Sequence, residues 1–145
     1  MTKVSEVMTR GVEVVRPDET LQRAAQMMDD LNVGSLPVCD GDRLVGMITD
    51  RDITVRATAA GIAPGEATVS EVMTAQTRWC TESQTTEEVM QQMADVQIRR
   101  VPVLNEDHEL VGIVSLGDLA TRQPGHIDEA LRGISSPSEP DRPAV

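Results

Sequence analysis

The sequence predicts an α/β fold built from two tandem copies of one small unit, and three observations predict it. The hexapeptide Val4-Ser5-Glu6-Val7-Met8-Thr9 returns letter for letter as Val69-Ser70-Glu71-Val72-Met73-Thr74, an offset of 65 residues. Helical apolar spacing is followed each time by two short strand-like runs. The chain has 145 residues, room for two units of about 60 residues, each marginal alone. The same offset carries Pro37-Val38 onto Pro102-Val103. One extra residue in the next turn makes it 66, so Leu44-Val45-Gly46 maps onto Leu110-Val111-Gly112. The copies are expected at 1–64 and 65–124, burying apolar faces against each other, with 125–145 as a separate tail.

Each copy reads β-α-β-β-α. An extended piece around 12–15 leads to the helix-start signal Pro17-Asp18. Leu21, Ala24, Ala25, Met28 and Leu31 then recur at helical spacing, matched by Thr86, Val89, Met90, Met93 and Val96. The first strand holds Leu36-Pro37-Val38, whose proline lacks a ladder donor and suggests a strand start or an edge. Asp40-Gly41-Asp42 is a hairpin-type turn into a second strand over 44–49. A second helix is expected from Asp50 to Gly61, with Ile53, Arg56, Ala57 and Ala60 along one side. Its counterpart begins near Asp118 and is expected to stop at Pro124-Gly125. Residues 126–134 suit a short amphipathic helix docked on its own protein, and 135–145 a disordered tail.

Composition narrows the function. Thirteen basic against twenty-four acidic residues leave a net charge of −11. Such a chain repels nucleic acid and anionic lipid, because phosphate contacts need Lys and Arg. With no Phe, no Tyr and one Trp, the core must come from aliphatic residues and methionine. No apolar run approaches the roughly 20 residues of a membrane span, and the N-terminus has no signal-peptide character. A soluble cytoplasmic protein with reduced Cys39 and Cys80 is expected. No Ser-His-Asp or Cys-His arrangement, GxGxxG or P-loop is present, so catalysis is not expected.

The chemistry concentrates where the second strand runs into the second helix. Gly46-Met47-Ile48-Thr49-Asp50-Arg51-Asp52 matches Gly112-Ile113-Val114-Ser115-Leu116-Gly117-Asp118. Each reads glycine, two apolar residues, a hydroxyl residue, two variable positions and aspartate. Glycine permits close approach to the backbone. The hydroxyl stands where the first helical amides suit a phosphate, and an ionised Asp accepts from the vicinal hydroxyls of a ribose. The same pattern is also close to a capping box. The two roles are compatible, and both stay open on the sequence.

These residues resemble the CBS domains, which occur in pairs called Bateman modules. The resemblance covers residues 1 to about 123 and rests on the repeated hexapeptide, Leu36-Pro37-Val38 with Val101-Pro102-Val103, and the two Gly-to-Asp segments. It implies a pseudo-twofold module, similar to stand-alone two-domain bacterial proteins, with adenosine-ligand sites in a cleft. Implied ligands are AMP, ADP, ATP, NAD or S-adenosylmethionine, none of them a required cofactor. Implied partners are a second copy in a homodimer and an unidentified regulated protein.

By position, the resemblance puts ribose-binding aspartates on Asp52 and Asp118, hydroxyls on Thr49 and Ser115, and adenine-flanking residues on Met47 and Ile113. Each site is expected to take a wall from the opposite copy: Val33 and Gly34 toward Ser115 and Asp118, Ile98 and Arg99 toward Thr49 and Asp52. Because Arg99-Arg100 would then help a phosphate, the Thr49/Asp52 site is the first expected to be filled. The alternatives are a ligand-free interaction or scaffold protein and a redox or metal sensor through Cys39 and Cys80. His108 and His126 complete the possible metal ligands, without the close spacing of zinc sites. Trp79 is expected to pack in the core, Met27, Met28, Met90 and Met93 to fill it, and Arg51 to be a solvated helix-start charge.

Overall fold

The computed structural model describes residues 2–96 and 98–122, so the expectations for 124–145 lie outside the described residues. In chain order the elements are α1 (Val4–Val7), α2 (Leu21–Leu31), β1 (Ser35–Asp40), β2 (Arg43–Thr49), a π-helix (Asp52–Thr58), α3 (Val69–Val72), β3 (Cys80–Thr81), α4 (Thr86–Val96), β4 (Arg100–Leu104), β5 (Leu110–Ser115) and α5 (Leu116–Arg122). They form two compact units whose boundaries differ from those of the repeats. One unit combines residues 2–12 with 78–122; the other is 13–77. The opening hexapeptide of each copy therefore belongs to the unit built around the other copy's hairpin.

The unit of residues 13–77 grows from the β1–β2 hairpin, which is antiparallel with Ser35 opposite Thr49 and Asp40 opposite Arg43. Gly41 takes φ +65° in the turn, the backbone a tight hairpin asks of its first loop residue. Val15 adds a single parallel bridge to Val38, so the expected leading strand shrinks to one residue. Pro37 lies inside β1 rather than at its start, and β1 is one strand of a two-stranded sheet, flanked on its outer side by the single Val15 bridge. Its carbonyl accepts from the Val15 amide (3.0 Å) and Met47 opposite it bonds elsewhere, to Thr74. No partner here calls for the missing N–H.

Helix α2 is capped by Thr20, whose hydroxyl accepts from the Arg23 amide (3.1 Å), and ends at Asn32 in the left-handed conformation. It buries Leu21, Ala24, Met27 and Met28. The expected face is therefore rotated slightly: Ala25 and Leu31 are exposed and Met27 replaces them. After β2 the chain winds wider than an α-helix, with the Ala59 amide donating to the Thr54 carbonyl (2.9 Å). Ile53, Thr54, Val55 and Thr58 are β-branched and crowd a normal helical turn. Gly61 closes the segment at φ +78°, where the glycine was expected.

The unit of residues 2–12 and 78–122 repeats the scheme. Strand β3 lies parallel to β4, and β4 antiparallel to β5. Both hairpins shift register at the same place, after Val38 and after Val103, so the extra residues are Val45 and Val111. The longer turn is organised by Asn105, whose side-chain oxygen accepts from the amides of Asp107 and Glu109 (2.9 Å each). Thr85 and Glu88 form a capping box at the start of α4, and these bonds hold the Glu88 carboxyl below its usual range. Cys80, Val89, Met93, Val101, Val103, Val114 and Leu119 make the core, together with Val4 and Val7 from the hexapeptide. Met27, Met28, Met90 and Met93 are buried core filler, as expected.

Trp79 is not in the core. It is 42% exposed and stands edge-on to His108, with ring centroids 5.3 Å apart. Strand alternation explains this, because Cys80, like Val15 in the other unit, takes the inward direction.

Thr86 sits where the other unit has Leu21. It is 1% exposed and its hydroxyl has no partner. Replacing that hydroxyl with a methyl removes an unsatisfied group at constant shape, so Thr86→Val should stabilise the protein by about 1 kcal/mol. Urea unfolding followed by Trp79 fluorescence should show a higher midpoint with an unchanged slope.

Candidate functional site

The two strand-to-helix junctions have the same local geometry. The Thr49 amide donates to Asp52 Oδ2 and the Asp52 amide donates to Thr49 Oγ1, both at 3.0 Å. The Ser115 amide donates to Asp118 Oδ2 and the Asp118 amide to Ser115 Oγ, again at 3.0 Å. Both expected capping boxes are therefore formed, and each uses the same carboxylate oxygen. The other oxygen, Oδ1, lies 3.9 Å from Arg56 Nε in Asp52. In Asp118 it accepts from the Thr9 hydroxyl at 3.3 Å, which also reaches Oδ2 at 3.4 Å. A carboxylate oxygen can accept more than one donor, so both aspartates keep acceptor capacity. Thr49, Asp52, Ser115 and Asp118 are all partly exposed.

The glycine that opens each segment serves a backbone neighbour. A Cβ on Gly46 would fall 2.6 Å from the Thr74 carbonyl oxygen, and one on Gly112 would fall 2.7 Å from that of Thr9. These threonines end the hexapeptides. Thr74 and Met47 exchange both backbone hydrogen bonds (2.9 and 3.0 Å), as do Thr9 and Ile113 (2.8 and 3.0 Å). The sequence shows that both hexapeptides exist but not which hairpin each one joins. Arg56 and Arg122 were missed as well. Each donates to carbonyls at the C-terminal end of the short hexapeptide helix in its unit, and their common offset of 66 was the available signal.

The hairpins also place the wall residues. Gly34 precedes β1, and its carbonyl accepts from the Asp50 amide (2.9 Å); the Arg99 carbonyl accepts from the Leu116 amide (2.8 Å). Thus Val33, Gly34, Met47, Thr49 and Asp52 belong to one unit, and Ile98, Arg99, Ile113, Ser115 and Asp118 to the other. A strand that starts at 35 faces one that ends at 49, so each expected wall also adjoins the junction of its own copy. Within its unit, Arg99 accompanies Ser115 and Asp118. Met47 is half-buried and Ile113 buried.

The thiols are a different kind of group. Burial, with help from Asp42, pushes Cys39 up from 9.0 to about 11. Burial pushes Cys80 up to about 12. They lie in different units. Among the described residues no three His, Cys, Asp or Glu side chains are grouped to hold a metal, and no helix is long and apolar enough to cross a membrane.

Two α/β units with matched hydroxyl–aspartate junctions define a tandem module of repeated domains. The chain belongs to the CBS domain family, which it matches over residues 4–57 and 69–125, and it is a CBS pair of the regulatory, Bateman type. It is 42% identical to hypoxic response protein 1 of Mycobacterium tuberculosis over 139 residues, 94% of this chain and 96% of the relative. It is 45% identical to the CBS domain-containing protein YhcV of Bacillus subtilis over 123 residues, 85% of this chain and 86% of the relative. A crystal structure of hypoxic response protein I with two coordinated zinc ions superposes with a TM-score of 0.77, covering 85% of this chain and all of that one. The CBS domain pair of MJ0100, in complex with 5′-methylthioadenosine and S-adenosyl-L-methionine, superposes at 0.72 with 27% identity, covering 83% of this chain and 98% of that one. Inosine-5′-monophosphate dehydrogenase of Methanocaldococcus jannaschii matches over only 23% of its own length, so its catalysis does not carry over.

Two outcomes follow from this geometry. Gly46→Ala and Gly112→Ala must push the hexapeptide carbonyl away and should each cost about 1–3 kcal/mol in urea unfolding. The raised thiol pKa values predict that a thiol-specific reagent at pH 7.5 reacts slowly with the folded protein. Relative to an ordinary thiol, thiolate loss alone slows Cys39 about 100-fold and Cys80 about 1,000-fold. Both should react at once in denaturant. The same shifts remove stability as pH rises from about 9 through 11 and 12, because the unfolded chain loses its thiol protons first.

Proposed function

We propose that this CBS pair is a non-catalytic sensor that binds an adenosine-containing ligand at its strand-to-helix junctions and reports it to a partner protein. The observation that carries this reading is the doubled box: Thr49 with Asp52 and Ser115 with Asp118, in the same geometry at equivalent positions. In each, the aspartate oxygen outside the box accepts from ribose hydroxyls, and the Thr or Ser hydroxyl faces an anionic group near the first helical amides. Met47 and Ile113 flank the base, with Val33-Gly34 and Ile98-Arg99 as walls. Arg99, whose backbone carbonyl adjoins the Ser115 and Asp118 junction, brings a cation that favours a phosphate-bearing ligand. The methylthioadenosine and S-adenosylmethionine complex of the MJ0100 pair supports the ligand class, with AMP, ADP, ATP and NAD as further members. A regulatory role then follows from linkage, since a ligand that prefers one conformation shifts its population. A second copy in a homodimer and a separate effector protein are the partners this reading calls for.

The alternative reading is a zinc or redox sensor. The related structure with two coordinated zinc ions supports a metal reading. Cys39 and Cys80 are buried as protonated thiols in separate units.

Thermal unfolding tests the proposal with AMP, ATP and S-adenosylmethionine as probes. At about 100 times its dissociation constant, a ligand adds about 2.7 kcal/mol, which raises Tm by roughly 5–10 °C at this chain length. Asp52→Asn with Asp118→Asn keeps an oxygen for each capping amide but removes the charge, and should abolish the shift. A flat response to all three probes in the unmodified protein would favour the ligand-free scaffold.

A further inference from the structure

We infer that Arg56 and Arg122 are positioning residues that hold each hexapeptide against its junction, so that a ligand on the aspartate is registered by the hexapeptide. The ligand is the source of the signal, and in that respect this rests on the adenosine reading; the route is set by geometry. Arg122 Nη1 donates to the carbonyls of Val7 (2.8 Å) and Met8 (3.2 Å), and Arg56 Nη1 to those of Val72 and Met73 (3.1 Å each). These carbonyls belong to the last residue of α1 or α3 and to the C-cap residue that follows it. Met8 and Met73 turn extended immediately after the helices, so no further helical amide arrives to satisfy those oxygens. A cation whose single Nη1 donates to both oxygens at the negative end of the helix meets that need.

The next residue in each hexapeptide is the threonine paired with Ile113 or Met47. The same assembly reaches the carboxylate. Arg56 itself lies 3.9 Å from Asp52 Oδ1, while Thr9 donates to Asp118 Oδ1 in the other unit. In both cases a link to the hexapeptide reaches the oxygen that the capping box leaves over, Thr9 by a hydrogen bond and Arg56 as an ion pair at 3.9 Å. A ribose hydroxyl taking that oxygen must share it with a group that also seats the hexapeptide. Residues 10–13 and 75–78 then carry the chain onward into the other unit, so a change in seating passes along continuous backbone.

Hydrogen exchange read by mass spectrometry, with AMP as the probe, tests this on the full chain and on Arg56→Ala, Arg122→Ala, Arg122→Lys and Val103→Ala. Without ligand, Arg122→Ala should speed exchange over residues 4–9 about 10-fold and leave 69–74 unchanged; Arg56→Ala should do the reverse, and Arg122→Lys should restore part of the protection. AMP should slow both hexapeptides in the unmodified protein. Each arginine-to-alanine change should weaken AMP binding by about 5-fold or more, whereas Val103→Ala, a core truncation, should leave it within about 2-fold. Equal weakening by Val103→Ala, or faster exchange spread evenly over the chain, overturns the positioning role. AMP binding that leaves both hexapeptides unprotected sinks this inference and leaves the ligand reading standing. If AMP fails to bind the unmodified protein, the ligand reading fails, and the arginine role is decided by the ligand-free exchange.

Discussion

The pairing of each hexapeptide threonine with the residue after a hairpin glycine is the constraint on which the rest of the molecule depends. Thr74 zips to Met47 and Thr9 to Ile113 through reciprocal backbone bonds, and the glycine beside each has no space for even a methyl group. The pairing brings Val69 and Val72 into one core and Val4 and Val7 into the other. It also delivers the carbonyls that Arg56 and Arg122 cap. Without it neither hairpin is covered beside its junction, and a unit of this size has little core to spare.

Seen this way, the letter-for-letter repetition has a structural cause. Two hairpins with the same Gly-to-Asp geometry require the same covering strand, and each takes it from the other copy of the repeat. Gene duplication alone would allow the hexapeptides to drift. A backbone carbonyl that would stand under 3 Å from any Cβ at the glycine, and a short helix that must end where an arginine reaches it, leave few sequences that fit. The aspartates gain from this arrangement because the capping box fixes one oxygen of each. A group fixed in that way is preorganised for a ligand.

Much of this was legible in the sequence, in the parts governed by local rules. Thr49 to Asp52 and Ser115 to Asp118 were readable as capping boxes because the partners are three residues apart. Gly41 and Gly61 were readable because turns and helix ends select left-handed backbone. The α/β class and the family followed from such local signals taken twice. Non-local choices were not legible. Identical hexapeptides cannot declare which hairpin they join, so the unit boundaries near residues 12 and 77 had no signature. Trp79 looked like core because it aligns with Val14, and strand alternation turned it outward. Pro37 reads as a start or edge residue, and it sits inside β1 of a two-stranded sheet where no partner calls for its missing amide.

Two-dimensional amide NMR during addition of AMP or S-adenosylmethionine addresses the ligand reading most directly, because it reports each junction residue separately. The account predicts saturable shifts centred on the amides of Thr49, Asp52, Ser115 and Asp118, extending to Thr9 and Thr74. Shifts confined to residues remote from both junctions, or spectra unchanged at millimolar ligand, would contradict it.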